Sequence, residues 1–96
     1  MIVKVLDILH SDNGKGNYRE SKVGEKYERR KNKVYDVDFD TLTTWDGLEM
    51  LEVVNGEIAG DGIWTTEYLG RKEVDDKLEI YTYNSIYVCE VVDGHN

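Results

Sequence analysis

The sequence predicts a mainly β domain, a small five- to six-stranded barrel or sandwich with at most one short helix. Three observations carry this. Short runs rich in Val, Ile, Thr and Tyr recur along the chain, separated by clusters of Asn, Asp, Gly and Ser. One run, KVYDVDFD at residues 33–40, alternates apolar and acidic side chains with the period of a half-buried strand. Finally, 96 residues suffice for one core and no more, so residues 1–96 are expected to form a single domain.

Residues 2–9, IVKVLDIL, are short and partly apolar on both sides, which reads as a first strand with imperfect alternation. Residues 11–22, SDNGKGNYRESK, have the composition of a loop. VGEKYERRKNK, residues 23–33, starts like a strand and continues like an exposed basic loop or ribbon tip. In residues 33–40, Tyr35, Val37 and Phe39 fall on one side and Val34, Asp36, Asp38 and Asp40 on the other.

The period then changes in TLTTWDGLEMLEVVNG, residues 41–56. Trp45, Leu48, Leu51 and Val54 recur every three residues, Thr43 and Asp46 have capping-box spacing, and Asn55-Gly56 would end a helix. The competing assignment is a hairpin that turns on Asn55-Gly56. Residues 62–69 and 78–83 are strand-like and joined by a charged turn at 70–76; residues 86–92 close the fold. Asn84-Ser85 marks either a tight turn or a bend in one long strand. Trp64, Tyr68, Tyr81, Tyr83 and Tyr87 are expected to belong mostly to the core.

Charge is unevenly placed. Residues 1–35 carry nine Lys/Arg against five Asp/Glu, a net of +4, whereas the rest carry three against fifteen, a net of -12. Such a field attracts basic protein surfaces to the acidic side and repels nucleic acid from it, which favours a protein partner over direct nucleic-acid binding. A single cysteine cannot form an internal disulfide, no apolar run is long enough to span a membrane, and the start lacks signal-peptide features. The expectation is a soluble cytoplasmic protein with no cofactor.

Familiar chemistries fail on spacing. Asp36-x-Asp38-x-Asp40 begins like a calcium loop, but the glycine and glutamate that must follow are Thr41 and Gly47. On a strand these carboxylates stand about 7 Å apart, too far to share one ion easily. They read instead as a solvated face or as a recognition surface extended by Glu49, Glu52, Glu57, Asp61 and Glu67. NGKGN around Lys15 lacks the spacing of a phosphate-binding P-loop. Cys89 sits in an apolar strand, and only His10 and His95 are available as imidazole bases, so no nucleophile–base set is apparent and a non-enzymatic protein is expected. RRKNK at residues 29–33, with Tyr18, Tyr27 and Tyr35 near it, offers cations and aromatics for a nucleotide: Arg29, Arg30, Lys33 and Tyr27 are the candidates.

The ending from Trp64 to Val91, and in it Thr82-x-Asn84-Ser85-x-Tyr87, resembles the closing strands of small accessory proteins encoded by phages and prophages. The resemblance implies an inhibitor that binds a host protein, including restriction and CRISPR nucleases, or a protein that sequesters a nucleotide immune signal. The leading expectation is therefore a binding protein whose acidic row, Asp36, Asp38, Asp40, Glu49, Glu52, Glu57, Asp61 and Glu67, docks on a basic host protein. The alternatives are a nucleotide-binding protein, acting as a homo-oligomer, and a structural assembly module.

Overall fold

A computed structural model describes residues 1–12 and 19–92. The turn expected at Lys15, Tyr18 and His95 lie outside the described residues. The elements are β1 (Ile2–His10), α1 (Glu25–Arg30), β2 (Val34–Val37), β3 (Gly47–Val54), β4 (Glu57–Val74), β5 (Lys77–Thr82) and β6 (Ser85–Val91). Each strand runs antiparallel to the next, and β1 also pairs with β6, which closes a six-stranded barrel. Closure leaves no long unpaired sheet edge.

The imperfect alternation of the first strand has a physical cause. A register shift between Val5 and Asp7 turns the strand, so Val3 and Val5 point inward before it and Ile8 after it. Asp7 holds this bulge: its carboxylate accepts from the Ile8 amide at 2.8 Å and from the Ser21 hydroxyl at 2.7 Å. The core it feeds includes Val3, Val5, Ile8, Leu48, Met50 and Ile80, all fully buried. Cys89 lies among them, and burial pushes its thiol up to about 12, the inert state of a core cysteine.

Four local expectations change. The strand at 33–40 ends at Val37, because Asp38 turns the chain and accepts the Asp40 amide on its own carboxylate at 2.9 Å. Residues 47–54 are strand rather than helix. Leu48 and Met50 alternate into the core, while Trp45, which a helix would bury, is 80% exposed. Asn55 and Gly56 both take positive φ, +52° and +81°, the geometry of a type I′ hairpin turn. Thr43 caps a turn and not a helix, its hydroxyl accepting the Gly47 amide at 3.1 Å.

The charged turn at 70–76 shrinks to Asp75-Asp76, again with positive φ at both residues, because Arg71 to Val74 continue β4 against β5. At 18 residues β4 spans two pairings, β3 along its first part and β5 along its second, with a register shift between Tyr68 and Gly70. Gly47 and Gly62 permit the close approach of β3 and β4, since a Cβ on either would overlap a carbonyl oxygen of the facing strand. Lastly, the basic segment is a helix, α1, although only six residues long.

One ion pair ties the segment after β1 to the barrel. Arg19 donates to both oxygens of Glu79, at 3.1 and 2.6 Å, and the Tyr81 hydroxyl adds a third donor at 2.7 Å. The Glu79 side chain is 6% exposed. Among the described residues no helix is long and apolar enough to cross a membrane.

Candidate functional site

Backbone hydrogen bonds on both flanks hold α1. Before it, residues 20–22 run beside the end of β1: the His10 amide donates to the Glu20 carbonyl and the Lys22 amide to the Ile8 carbonyl, each at 2.8 Å. After it, the Asn32 amide donates to the Val5 carbonyl at 2.6 Å, and the Val5 amide to the Lys33 carbonyl at 3.0 Å. The helix is thereby pinned against the barrel with Tyr27 packed on the core. Gly24, at φ +121°, lets the chain enter, and its carbonyl accepts the Tyr27 and Glu28 amides.

This placement gathers cations around one ring. Lys22, Lys26 and Arg30 stand 4.9, 5.5 and 5.9 Å from the Tyr27 ring centre. Arg30 donates to the Tyr87 hydroxyl at 3.3 Å. Burial raises the phenols of both Tyr35, up to about 12, and Tyr87, so each keeps its proton at neutral pH.

Partners divide the basic residues into two sets. Arg29 lies 3.7 Å from Glu25, Lys31 bridges Glu28 and Asp7, and Lys33 lies 3.8 Å from Glu52. Lys22, Lys26 and Arg30 make no ion pair with any carboxylate among the described residues.

Lys22 is the decisive member. The residue is 7% exposed, and among the described residues its ammonium meets the Tyr27 ring and the Tyr27 hydroxyl, 3.5 Å away, but no carboxylate. Neither contact neutralises the charge, so an anion in the pocket that Lys22 lines would meet a cation not already paired with a carboxylate.

Two concavities open beside the helix. The smaller, about 80 Å³, takes its cations from Lys22, Lys26 and Arg30 and its neutral polar groups from Thr66, Asn84 and Ser85, with no Asp or Glu in its lining. The larger, about 350 Å³, shares Lys26 and Arg30 and adds Arg29, Lys33, Glu52 and Asp61 over Tyr35 and Ile63. The first has room for several water-sized molecules or one tetrahedral oxyanion; the second is at the small end of pockets that hold organic ligands.

Of the residues expected to bind a nucleotide, Arg29, Arg30 and Lys33 line the larger groove and Tyr27 the smaller pocket. The acidic row is divided. Asp36, Asp38 and Glu49 line a separate groove with Thr41 and Leu51. Glu52 and Asp61 join the basic groove, Glu57 starts β4 after the hairpin turn, Glu67 faces Gly47, and Asp40 lies in the turn after β2. Asp36 is also 3.5 Å from the Met1 amine. Sequence reasoning passed over Lys22, Lys26 and Trp64. The first two precede Arg30 at intervals of four, a spacing that was available as a signal; nothing distinguished Trp64 from a core aromatic, yet it is 70% exposed.

No group of three His, Cys, Asp or Glu side chains among the described residues could hold a metal ion. No family model, curated protein or solved structure matches the chain.

Proposed function

We propose that the protein binds a phosphate-bearing small molecule at α1 and acts by holding it rather than by transforming it. The observation that carries this reading is Lys22, 7% exposed and without a carboxylate partner among the described residues, lining a pocket that Lys26 and Arg30, likewise unpaired there, share. Three like charges around one tyrosine repel one another, and a dianion between them turns that repulsion into charge-assisted hydrogen bonding. In a chain of net charge -8 these grouped cations give an anion a local attraction that the overall charge does not.

Calorimetric titration with inorganic phosphate tests it. Saturable one-to-one binding is expected, weakening as sodium chloride rises because the attraction is screened. Absence of saturation up to about 10 mM, a concentration that detects even contacts worth about 3 kcal/mol, would overturn the reading.

A second reading, docking on a basic host protein, draws on Trp64. Its indole is exposed and donates at 3.0 Å to Glu49, which lines one groove with Asp36, Asp38 and Leu51, and exposed tryptophans beside complementary charge are the usual anchors of small interfaces. Capture of basic proteins from host lysate should be lost in an Asp36→Lys, Asp38→Lys variant. Unchanged capture removes this reading and leaves the first untouched.

A further inference from the structure

The two concavities share a wall but differ in chemistry, and this bears on what the ligand carries besides phosphate. The smaller pocket is lined by cations, neutral polar groups and the aromatic rings of Tyr27, Trp64 and Tyr87, with no carboxylate. The larger groove sets two carboxylates, Glu52 and Asp61, among its cations. Glu52 is partly answered by Lys33, whereas Asp61 has no partner among the described residues and is exposed at the groove.

A polyphosphate or a nucleic-acid strand laid along both compartments would bring its second charge against these carboxylates. A ligand with hydroxyl or amino donors there would instead find acceptors. Tyr35 and Ile63, both nearly buried, lie under the groove and offer a ring a small apolar contact.

Resting on the phosphate-binding reading, we infer that the ligand is a mononucleotide. Its single phosphate enters the pocket of Lys22, Lys26 and Arg30, and its ribose and base lie in the adjoining groove with the sugar hydroxyls toward Asp61. Lys26 and Arg30, common to both compartments, sit at the junction and fix the order in which the two ends of the ligand enter. The combined space suits one nucleotide, not a strand.

Calorimetry with four probes decides it: inorganic phosphate, ribose 5-phosphate, adenosine 5′-monophosphate and a single-stranded DNA decamer, each against the native protein and an Asp61→Asn variant. The expected order is adenosine monophosphate tightest, at least tenfold tighter than inorganic phosphate, with ribose 5-phosphate between. Asp61→Asn should erase most of the nucleotide's advantage while leaving phosphate binding unchanged or slightly tighter, as a negative charge has gone. Equal affinity for phosphate and nucleotide, ribose 5-phosphate matching the nucleotide, or the decamer binding tightest would each overturn the mononucleotide while leaving phosphate recognition standing. Failure of all four to bind would overturn phosphate recognition itself.

Discussion

Lys22→Met is expected to weaken phosphate binding about 10- to 100-fold while making the barrel no less stable. Methionine reproduces the length and apolar bulk of the lysine stem, and the backbone hydrogen bond from residue 22 to Ile8 does not involve the side chain. What disappears is a buried charge with one aromatic ring and one distant hydroxyl for company. Replacing a buried ionic group with an apolar one of similar volume is neutral or stabilising, so the melting temperature should hold or rise. A charge-assisted hydrogen bond is worth about 1.5–3 kcal/mol, so affinity for phosphate should fall about 10- to 100-fold. Opposite signs on stability and binding mark a residue kept for its ligand. Were the variant to lose several degrees of stability and bind as before, Lys22 would be a structural lysine. Lys22→Arg, which keeps the charge, should retain part of the binding.

Arg19→Ala should produce the largest loss of stability at neutral pH. Its partner Glu79 is buried within β5, and without the guanidinium that carboxylate keeps the Tyr81 hydroxyl and the charge of Lys72 on the facing strand. Orphaning a fully buried ion costs about 3–5 kcal/mol; because Arg19 is itself about half exposed, screening reduces this to about 2 kcal/mol, or about 10 °C in melting temperature. The pH dependence has a definite sign. The Arg19 hydrogen bonds hold the Glu79 carboxyl below its ordinary value of 4.5, against the opposing effect of burial. A carboxylate with a depressed folded-state pKa contributes stability that is fully present above the unfolded value and is lost as pH falls through the folded one. Native protein should therefore lose stability on acidification below about pH 4.5, and the gap between native and Arg19→Ala should narrow there, since a protonated Glu79 no longer needs the arginine. Thermal denaturation at pH 7 and pH 3 measures both; a gap that stays constant or widens would mean that Arg19 acts through something other than this pair.

How far the sequence revealed the fold depended on whether a segment's side chains answer to one force or two. In β2, Tyr35 and Val37 alternate inward under core packing alone, and the alternation is plain to read. In β1 the bulge held by Asp7 changes parity midway, so both faces look apolar and the strand is recognised while its register is hidden. Residues 43–54 carry two periodicities at once. Leu48 and Met50 are spaced by two and Trp45, Leu48, Leu51 and Val54 by three; the barrel selects the first and leaves Trp45 and Val54 exposed. The helix escaped notice because α1 has one apolar anchor, Tyr27, and no stripe to reveal it; its position comes from backbone bonds to β1 formed by residues outside it.

The site was legible to the same partial extent. Composition alone marked Arg29, Arg30, Lys33 and Tyr27, because cations beside an aromatic suit phosphate wherever they fall. Lys26 enters only once a helix places it on the Tyr27 ring, and Lys22 only once the segment before that helix pairs with the end of β1. The acidic row failed as a continuous feature for a local reason: Asp38 spends its carboxylate on the turn to Asp40, so the regular strand spacing assumed for the three aspartates stops at Val37.

The most direct measurement is amide NMR of the native protein during titration with inorganic phosphate. Shifts concentrated at residues 22–33, 64–66 and 84–87, saturating together with one dissociation constant, are the predicted result. Shifts that scatter over the barrel without saturating, or that gather instead around Asp36, Asp38 and Glu49, would contradict an anion site at the helix.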